Sequence, residues 1–346
     1  MKRISVFIAA CVFAASLLTL TACRAGGGYY DAEYFLMDSY MTVRLSRDGM
    51  TEDNLSQLSS QTAKLVKDIE NEISAERGES DTCRFNSSES GISDAGEDFR
   101  TVLSASLSAA EKTKGAYDPT LYGLIRLWNV TGGGPVPRTE DIEKALADAG
   151  YEKIVYDGES VSKEFPAVSV DFGGIGKGYA VGKAVGYLSE SGVRYGLCSF
   201  LSTVGVFGEK PDGDSFIVTV CDPDDTSKSV GEFSIKRGFI SSSGDYERFF
   251  EKDGVRYHHI LDPETGYPAQ NGLRSVSVYS SDGAVSDALS TALFVMGVDR
   301  GMELYRSGEL DFEAVFVTDG GVYLTDGLKD GGIFALTTDK YKILNQ

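Results

Sequence analysis

Two periodicities run through this sequence without settling into a repeat, and that mixture limits the fold more than any other feature. Residues 54–75 place Leu58, Thr62, Leu65, Ile69 and Ile73 at helical spacing between charged positions, which predicts an amphipathic helix. Residues 99–112 predict a second helix, stopped at Gly115, and 141–149 a short third one ending at Gly150. Residues 35–45 alternate through Met41, Val43 and Leu45 and read as a strand. Further strands are expected at 168–171, 215–221, 238–242, 256–261 and 274–280, the last alternating through Val276 and Val278. Helices are also expected at 179–189 and 284–296, the latter almost wholly apolar. Residues 78–86 read as a loop, and the Gly/Pro-rich 131–137 as irregular. Strands and helices without regular βαβ alternation predict an α+β fold in one domain over residues 31–346.

The amino terminus follows another logic. Lys2 and Arg3 precede an apolar run over residues 4–20, and Leu20-Thr21-Ala22-Cys23 follows. A short basic region, an apolar stretch and small residues before a cut predict a secretory signal over residues 1–22. The apolar run falls short of the ~20 residues of a comfortable span, though a single anchor helix would share its composition. Leu-Thr-Ala-Cys is similar to a bacterial lipobox, in which Cys23 is lipidated and residues 23–30 form a tether. Membrane attachment is then through lipid alone, facing the periplasm or the cell exterior. The remainder holds no second long apolar run and is expected to be soluble.

The net charge is −19, and without Lys2 and Arg3 it is −21, from 31 basic and 52 acidic side chains. Such a surface repels nucleic acid and anionic lipid, so a phosphate ligand needs a local site of backbone N–H groups, a few cations or a metal. Beyond Cys11 and Cys23, the widely spaced Cys83, Cys198 and Cys221 suggest neither a disulfide framework nor zinc, and are expected as buried thiols.

Four groups of residues could carry chemistry. Asp171-Phe172-Gly173-Gly174-Ile175-Gly176-Lys177-Gly178 sets four glycines between an expected strand and helix. Glycine allows close backbone approach, a helix start offers free N–H groups, and Lys177 adds a full charge, a combination suited to phosphate. A tight strand-to-helix turn would need the same glycines. The run is no P-loop, because Gly178 stands where Ser or Thr is required, and its G-x-G-x-G spacing is not the dinucleotide fingerprint. Asp287 and Thr291 are four apart on an apolar helix and share a face, an oxygen pair suited to magnesium. Asp287 as a helix cap and Thr291 bonded back to a carbonyl would explain them equally. His258 and His259 are the two histidines of the chain, so an imidazole base is one of them, and on a strand they face opposite ways. Gly115-Ala116-Tyr117-Asp118-Pro119-Thr120 reads as a loop with an Asp-Pro turn, and Trp128 as core.

Taken in order, the stretches 37–45, 115–128, 171–179, 242–266 and 286–297 resemble the ApbE family of FAD:protein FMN transferases. The resemblance implies an α+β fold, FAD as substrate and magnesium as metal. It places Met37, Ala116, Tyr117, Asp118, Asp171, Lys177 and Leu261 at the FAD site. It assigns the metal to the Gly174 carbonyl, Asp287 and Thr291, and the base to His259. It further implies that FMN is transferred to a Thr or Ser hydroxyl of an exported flavoprotein, or of an Rnf- or Nqr-type subunit, with release of AMP. The sequence departs from the family in two places. Phe200-Leu201-Ser202-Thr203-Val204 lacks the usual Gly-Gly-Asp/Asn run, and Ala75-Glu76-Arg77 lacks an aromatic at the end of the first long helix. Two other functions use the same residues: a magnesium-dependent FAD pyrophosphatase with water as acceptor, and a flavin-binding lipoprotein without turnover.

Overall fold

The computed structural model describes residues 28–345. The expected signal peptide over 1–22 and lipidation at Cys23 lie outside the described residues. In chain order the elements are β1 (Tyr29–Leu36), β2 (Ser39–Ser46), α1 (Glu52–Ile73), α2 (Asp81–Ser87), β3 (Gly91–Ile92), α3 (Glu97–Lys112), α4 (Tyr122–Trp128), α5 (Thr139–Asp148), β4 (Ile154–Tyr156), β5 (Val161–Lys163) and α6 (Gly176–Glu190). Then follow β6 (Tyr195–Ser199), β7 (Thr203–Gly208), β8 (Phe216–Asp222), β9 (Asp225–Ile235), β10 (Gly238–Gly244), β11 (Phe249–Lys252), β12 (Val255–His258) and β13 (Leu273–Ser280). The chain closes with α7 (Gly283–Ser307), β14 (Glu313–Thr318), β15 (Gly321–Leu324), α8 (Asp326–Gly331) and β16 (Phe334–Leu336).

An eight-stranded antiparallel sheet in the order β1-β2-β6-β7-β10-β13-β14-β15 forms the middle layer. Its inward residues Met41, Val43, Cys198, Val276 and Val278 meet Val66 and Ile69 of α1, Val181 and Ala184 of α6, and Ala288 and Leu293 of α7 in the main core. The other face carries a second core, where Tyr195, Val206, Ile240 and Val315 pack on Phe216 and Phe233 of the three-stranded sheet β16-β9-β8. This α+β arrangement is the expected fold class. Among the described residues no helix is long and apolar enough to cross a membrane.

Several boundaries differ from expectation, each for a local reason. Residues 35–45 form a hairpin, with Met37 and Asp38 at its tip in left-handed backbone (φ 50° and 54°). Two positive φ values match the strand twist in a two-residue turn, but methionine there is rare. β1 already includes Tyr29 and Tyr30, and Tyr29 packs edge-on against Tyr195 at 5.8 Å, so the folded domain begins inside the expected tether. Residues 78–86, read as a loop, hold all but the last residue of α2; it is too short to show a period, but Ser80 Oγ caps it by accepting from Cys83 N at 3.0 Å. Residues 168–171 are not a strand: one isolated bridge, Ser169 to Leu121, is their ladder contact. α6 starts at Gly176, ahead of the expected Tyr179, because Phe172 O accepts from both Ile175 N and Gly176 N and closes the turn. β12 ends at His258 rather than continuing to 261. α7 continues past Met296 across Gly297 (φ 76°), where the Asn271 amide donates to the carbonyls of Phe294 and Val295 at 2.7 and 3.1 Å. Of the thiols, Cys198 is buried, whereas Cys83 and Cys221 are half-exposed.

α6 and α7 cross at their first turns, where two glycines touch. A Cβ on Gly178 would lie 2.0 Å from Gly283 O, and one on Gly283 would lie 2.3 Å from Gly178 O. Gly178→Ala should therefore destabilise by at least about 2 kcal/mol in urea unfolding. Gly186→Ala, in the same helix with nothing within 4 Å, should stabilise by about 0.5–1 kcal/mol. Equal midpoints for the two variants would refute the tight crossing.

Candidate active site

The glycine run builds a cradle at one end of the sheet. Asp171 N donates to Pro119 O at 2.8 Å, and Asp171 Oδ1 accepts from Gly173 N at 2.8 Å, so the carboxylate shapes the turn that it opens. A Cβ on Gly174 would stand 3.2 Å from both Thr291 Oγ1 and Tyr117 Cε2. A Cβ on Gly176 would stand 3.1 Å from Ile73 Cδ1 and 3.4 Å from Met37 Cε. The loop thus gathers Met37 from the hairpin tip, Tyr117 from the loop after α3, and Thr291 from α7. Lys177 reaches back to Gly173 O at 3.4 Å, and among the described residues no carboxylate lies within ion-pair distance of it. A free ammonium beside the first turn of α6 is a local positive site on an otherwise acidic protein.

Asp287 answers the question of capping. Its own helix is capped by Asp282, whose Oδ1 accepts from Val285 N at 3.0 Å. Asp287 lies one turn further on, is 5 % exposed, and accepts from Gly178 N of α6 at 2.9 Å and from Thr203 Oγ1 at 3.5 Å. It serves as the acceptor for a helix start that has no side-chain cap of its own. Beneath it runs a layer of hydroxyls: Ser241 bonds Thr203 and Ser286 at 3.2 and 2.6 Å, and Ser243 bonds Ser290 and Thr291 at 2.8 and 3.5 Å. Sequence reasoning missed these partners. Their signal was present as alternate serines on β10 facing Ser286 and Ser290, four apart on α7.

The two histidines separate cleanly. His258 is buried, with Nε2 donating to Ala269 O at 2.8 Å and Nδ1 accepting from Ile260 N at 3.3 Å. Both nitrogens are used, so it is structural. His259 lies beyond the strand, where its backbone N and its Nδ1 meet Arg248 O at 3.1 and 3.3 Å. A carbonyl only accepts, so Nδ1 carries the proton and Nε2 keeps a lone pair. Burial first, then the nearby Arg248 charge, hold the His259 pKa down to about 3.

Three carboxyls share this electrostatic field. Burial raises Asp287 above its ordinary range, with the Lys177 charge as the main opposing effect. Burial raises Asp171 against the Gly173 N–H and Lys177, and raises Glu247 against Lys177 and Arg248. Glu247 is itself an exposed side chain, so its charge is screened by solvent more than those of Asp171 and Asp287. Neither Glu247 nor Arg248 stood out in the sequence.

Other expected residues stand beside the cleft in supporting positions. Ala116 is buried in the main core. Tyr117 is buried, with its hydroxyl 3.3 Å from Ser106 Oγ. Asp118 spends its carboxylate on its own loop, accepting from Thr120 N and Oγ1 at 2.8 and 2.5 Å and from Tyr151 N at 3.2 Å. Leu261 is buried in a cluster with Trp128 and bridges Pro268 through its backbone. Trp128, as expected, is core, and its Nε1 donates to Gly266 O at 2.7 Å.

The donor set Asp287, Thr291 and the Gly174 backbone fits a hard divalent cation. It offers one buried carboxylate, with no cation in ion-pair distance among the described residues, beside neutral oxygens. Among those residues no three His, Cys, Asp or Glu side chains converge as a metal cage. One carboxylate with neutral oxygens is the manner of magnesium, which leaves room for substrate phosphates.

The sequence profile of the ApbE family matches residues 37–316. The chain belongs to the ApbE family. The FAD:protein FMN transferase of Vibrio cholerae is 30% identical over 315 residues, covering 89% of this chain and 93% of that protein. That of Klebsiella pneumoniae is 32% identical over 277 residues, covering 75% and 82%. The crystal structure of the ApbE protein from Thermotoga maritima superposes with a TM-score of 0.80 at 30% identity, over 87% of this chain and 98% of that one. The flavin transferase ApbE from Vibrio cholerae gives 0.78 at 26% identity, over 88% and 99%. The chain is therefore an enzyme of the transferase class with the ApbE fold.

The His259 environment makes a direct prediction for the free protein. Its ring signals in NMR should stay at neutral-imidazole positions from about pH 8 to about pH 5. A midpoint near 6.5, the ordinary value, would show an imidazole freely solvated and not set in the cleft.

Proposed function

We propose that this ApbE-family transferase moves the FMN half of FAD onto a Thr or Ser hydroxyl of another protein, with magnesium, and releases AMP. The carrying observation is that the glycine loop and first turn of α6 meet Asp287 and Thr291, with Lys177 close enough for its charge to act on both Asp287 and His259. The names of the relatives support the same reading.

Lys177 and the positive end of the α6 dipole would draw the pyrophosphate to the glycine loop, while Met37 and Tyr117 wall its apolar side. Gly174, Asp287 and Thr291 would hold magnesium, which neutralises phosphate charge. His259 Nε2 is unprotonated at neutral pH and would accept the proton of the acceptor hydroxyl. A bond forms from that hydroxyl oxygen to the FMN-side phosphorus. The bond from this phosphorus to the bridging oxygen breaks, and AMP leaves with that oxygen. An anionic substrate offsets the Arg248 and Lys177 charges that lower the His259 pKa, so binding strengthens the base.

Hydrolysis of FAD is the second reading. It draws on the end of α1, where Ala75 and Glu76 stand without an aromatic ring of their own and the Tyr122 hydroxyl donates to Ala75 O at 3.1 Å. Export with a lipid anchor at Cys23 is part of the proposal, resting on residues 1–23. It places the acceptor, an exported flavoprotein or an Rnf- or Nqr-type subunit, on the same side of the membrane.

The test is intact-mass analysis of a candidate Thr-bearing acceptor after incubation with enzyme, FAD and magnesium. An FMN-sized gain that EDTA abolishes supports transfer; AMP with free FMN and no gain supports hydrolysis instead. Asp287→Ala should abolish transfer, and full activity at low magnesium would contradict the metal assignment. His259→Ala should slow transfer by about 10²–10⁴, with His258→Ala costing stability far more than rate. Equal losses of rate in the two variants would remove His259 as base.

A further inference from the structure

The strap from Pro166 to Asp171 delivers Asp171 and the glycine loop to the cleft, yet it belongs to no sheet. Its backbone is held largely by two side chains, one from the strand just ahead of it and one from α2. Asn86, at the end of α2, pairs with Val170 as a strand would: Nδ2 donates to Val170 O at 2.8 Å and Oδ1 accepts from Val170 N at 2.7 Å. Lys163, the last residue of β5, is 7 % exposed, and its Nζ points into four main-chain carbonyls. These are Phe85 O at 2.9 Å, Asn86 O at 3.2 Å, Pro166 O at 3.0 Å and Val168 O at 2.9 Å. The ammonium also sits 4.9 Å from the centroid of the Phe85 ring.

Among the described residues no carboxylate lies within ion-pair distance of Lys163. An ammonium buried without a counter-ion is unfavourable unless dipoles replace its water. Simple packing at this place would be met by Leu or Met, which bring no charge to bury. Two of the four carbonyls belong to α2 and two to the strap, so the ammonium joins one to the other. Asn86 repeats the link one residue before Asp171.

We propose that Lys163 and Asn86 are positioning residues of the flavin site, locking the strap so that Asp171 and Gly174 stand opposite Asp287 and Thr291. The proposal rests on the FAD reading above for its ligand, but not for its geometry. Neither side chain touches the cleft; both act through the backbone of residues 166–171.

The experiment uses Asn86→Ala, Lys163→Met and Lys163→Ala, each well below its own Tm. FAD binding with magnesium is followed by flavin fluorescence, and amide hydrogen exchange is followed in the free protein. Loss of partners for buried carbonyls should raise the Kd for FAD about tenfold in each variant. Exchange over residues 168–176 should quicken while the main sheet keeps its protection. For Lys163→Ala, n-propylammonium chloride should restore binding and tetramethylammonium chloride should not, since only the former has N–H groups to give. Wild-type affinity and exchange in folded variants would overturn the proposal. So would equal rescue by both salts, because that would mean filled volume and not donated hydrogen bonds. If Lys163→Met does not fold, Asn86→Ala decides, as it changes no charge. Wild-type protein that fails to bind FAD counts against the flavin reading, while exchange in the free proteins still decides the role of these two residues.

Discussion

Everything at the site hangs on the crossing of α6 and α7. Gly178 and Gly283 have no side chains, so the two first turns touch backbone to backbone. That approach lets Asp287 reach across to Gly178 N and complete a helix start that lacks its own cap. It also brings the glycine loop against Thr291. A bulkier residue at either glycine would part the helices and separate the two halves of the donor set. The packing that stabilises the domain is therefore the packing that assembles its chemistry.

The cleft is organised around charge that water cannot fully screen. Asp171 and Asp287 are each raised by burial, and Lys177 acts against the shift in both. Burying carboxylates is unfavourable by itself. In the proposed reaction it becomes useful, because a cation and an anionic phosphate arriving together would each meet a prepared partner. The overall acidity of the protein, at −19, is compatible with a phosphate ligand because a single cradle supplies the positive field.

Much of this was readable in order along the chain. The α1 stripe was legible because its period runs over several turns, although burial is centred on Leu55, Thr62, Val66 and Ile69 and leaves Leu58 and Leu65 half-covered. The glycine run, the Asp287/Thr291 spacing and the histidine pair were legible because each is local. α2 was not, since a helix of seven residues offers no period to detect. The strap at 168–171 looked like a strand because its residues suit one. Asn86 and Lys163 take the hydrogen bonds that a neighbouring strand would have supplied, and no local pattern announces that Asn86 pairs with Val170, or that Lys163 ties the strap to Phe85 O, some eighty residues away.

The sequence by itself determined the α+β class, the family and the chemical types at the site, because periodicity and short motifs are properties of neighbouring residues. Tertiary structure alone decided where each of them stands. It assigned His258 to the core and His259 to the cleft, since the strand ends between them and Arg248 O takes the Nδ1 proton. It turned Asp287 away from its own helix toward another. It drew Thr203, Ser241 and Ser243 under the donor set and placed Glu247 and Arg248 on its rim. Those choices depend on which distant segments come within a few ångströms, and that distance is fixed by packing.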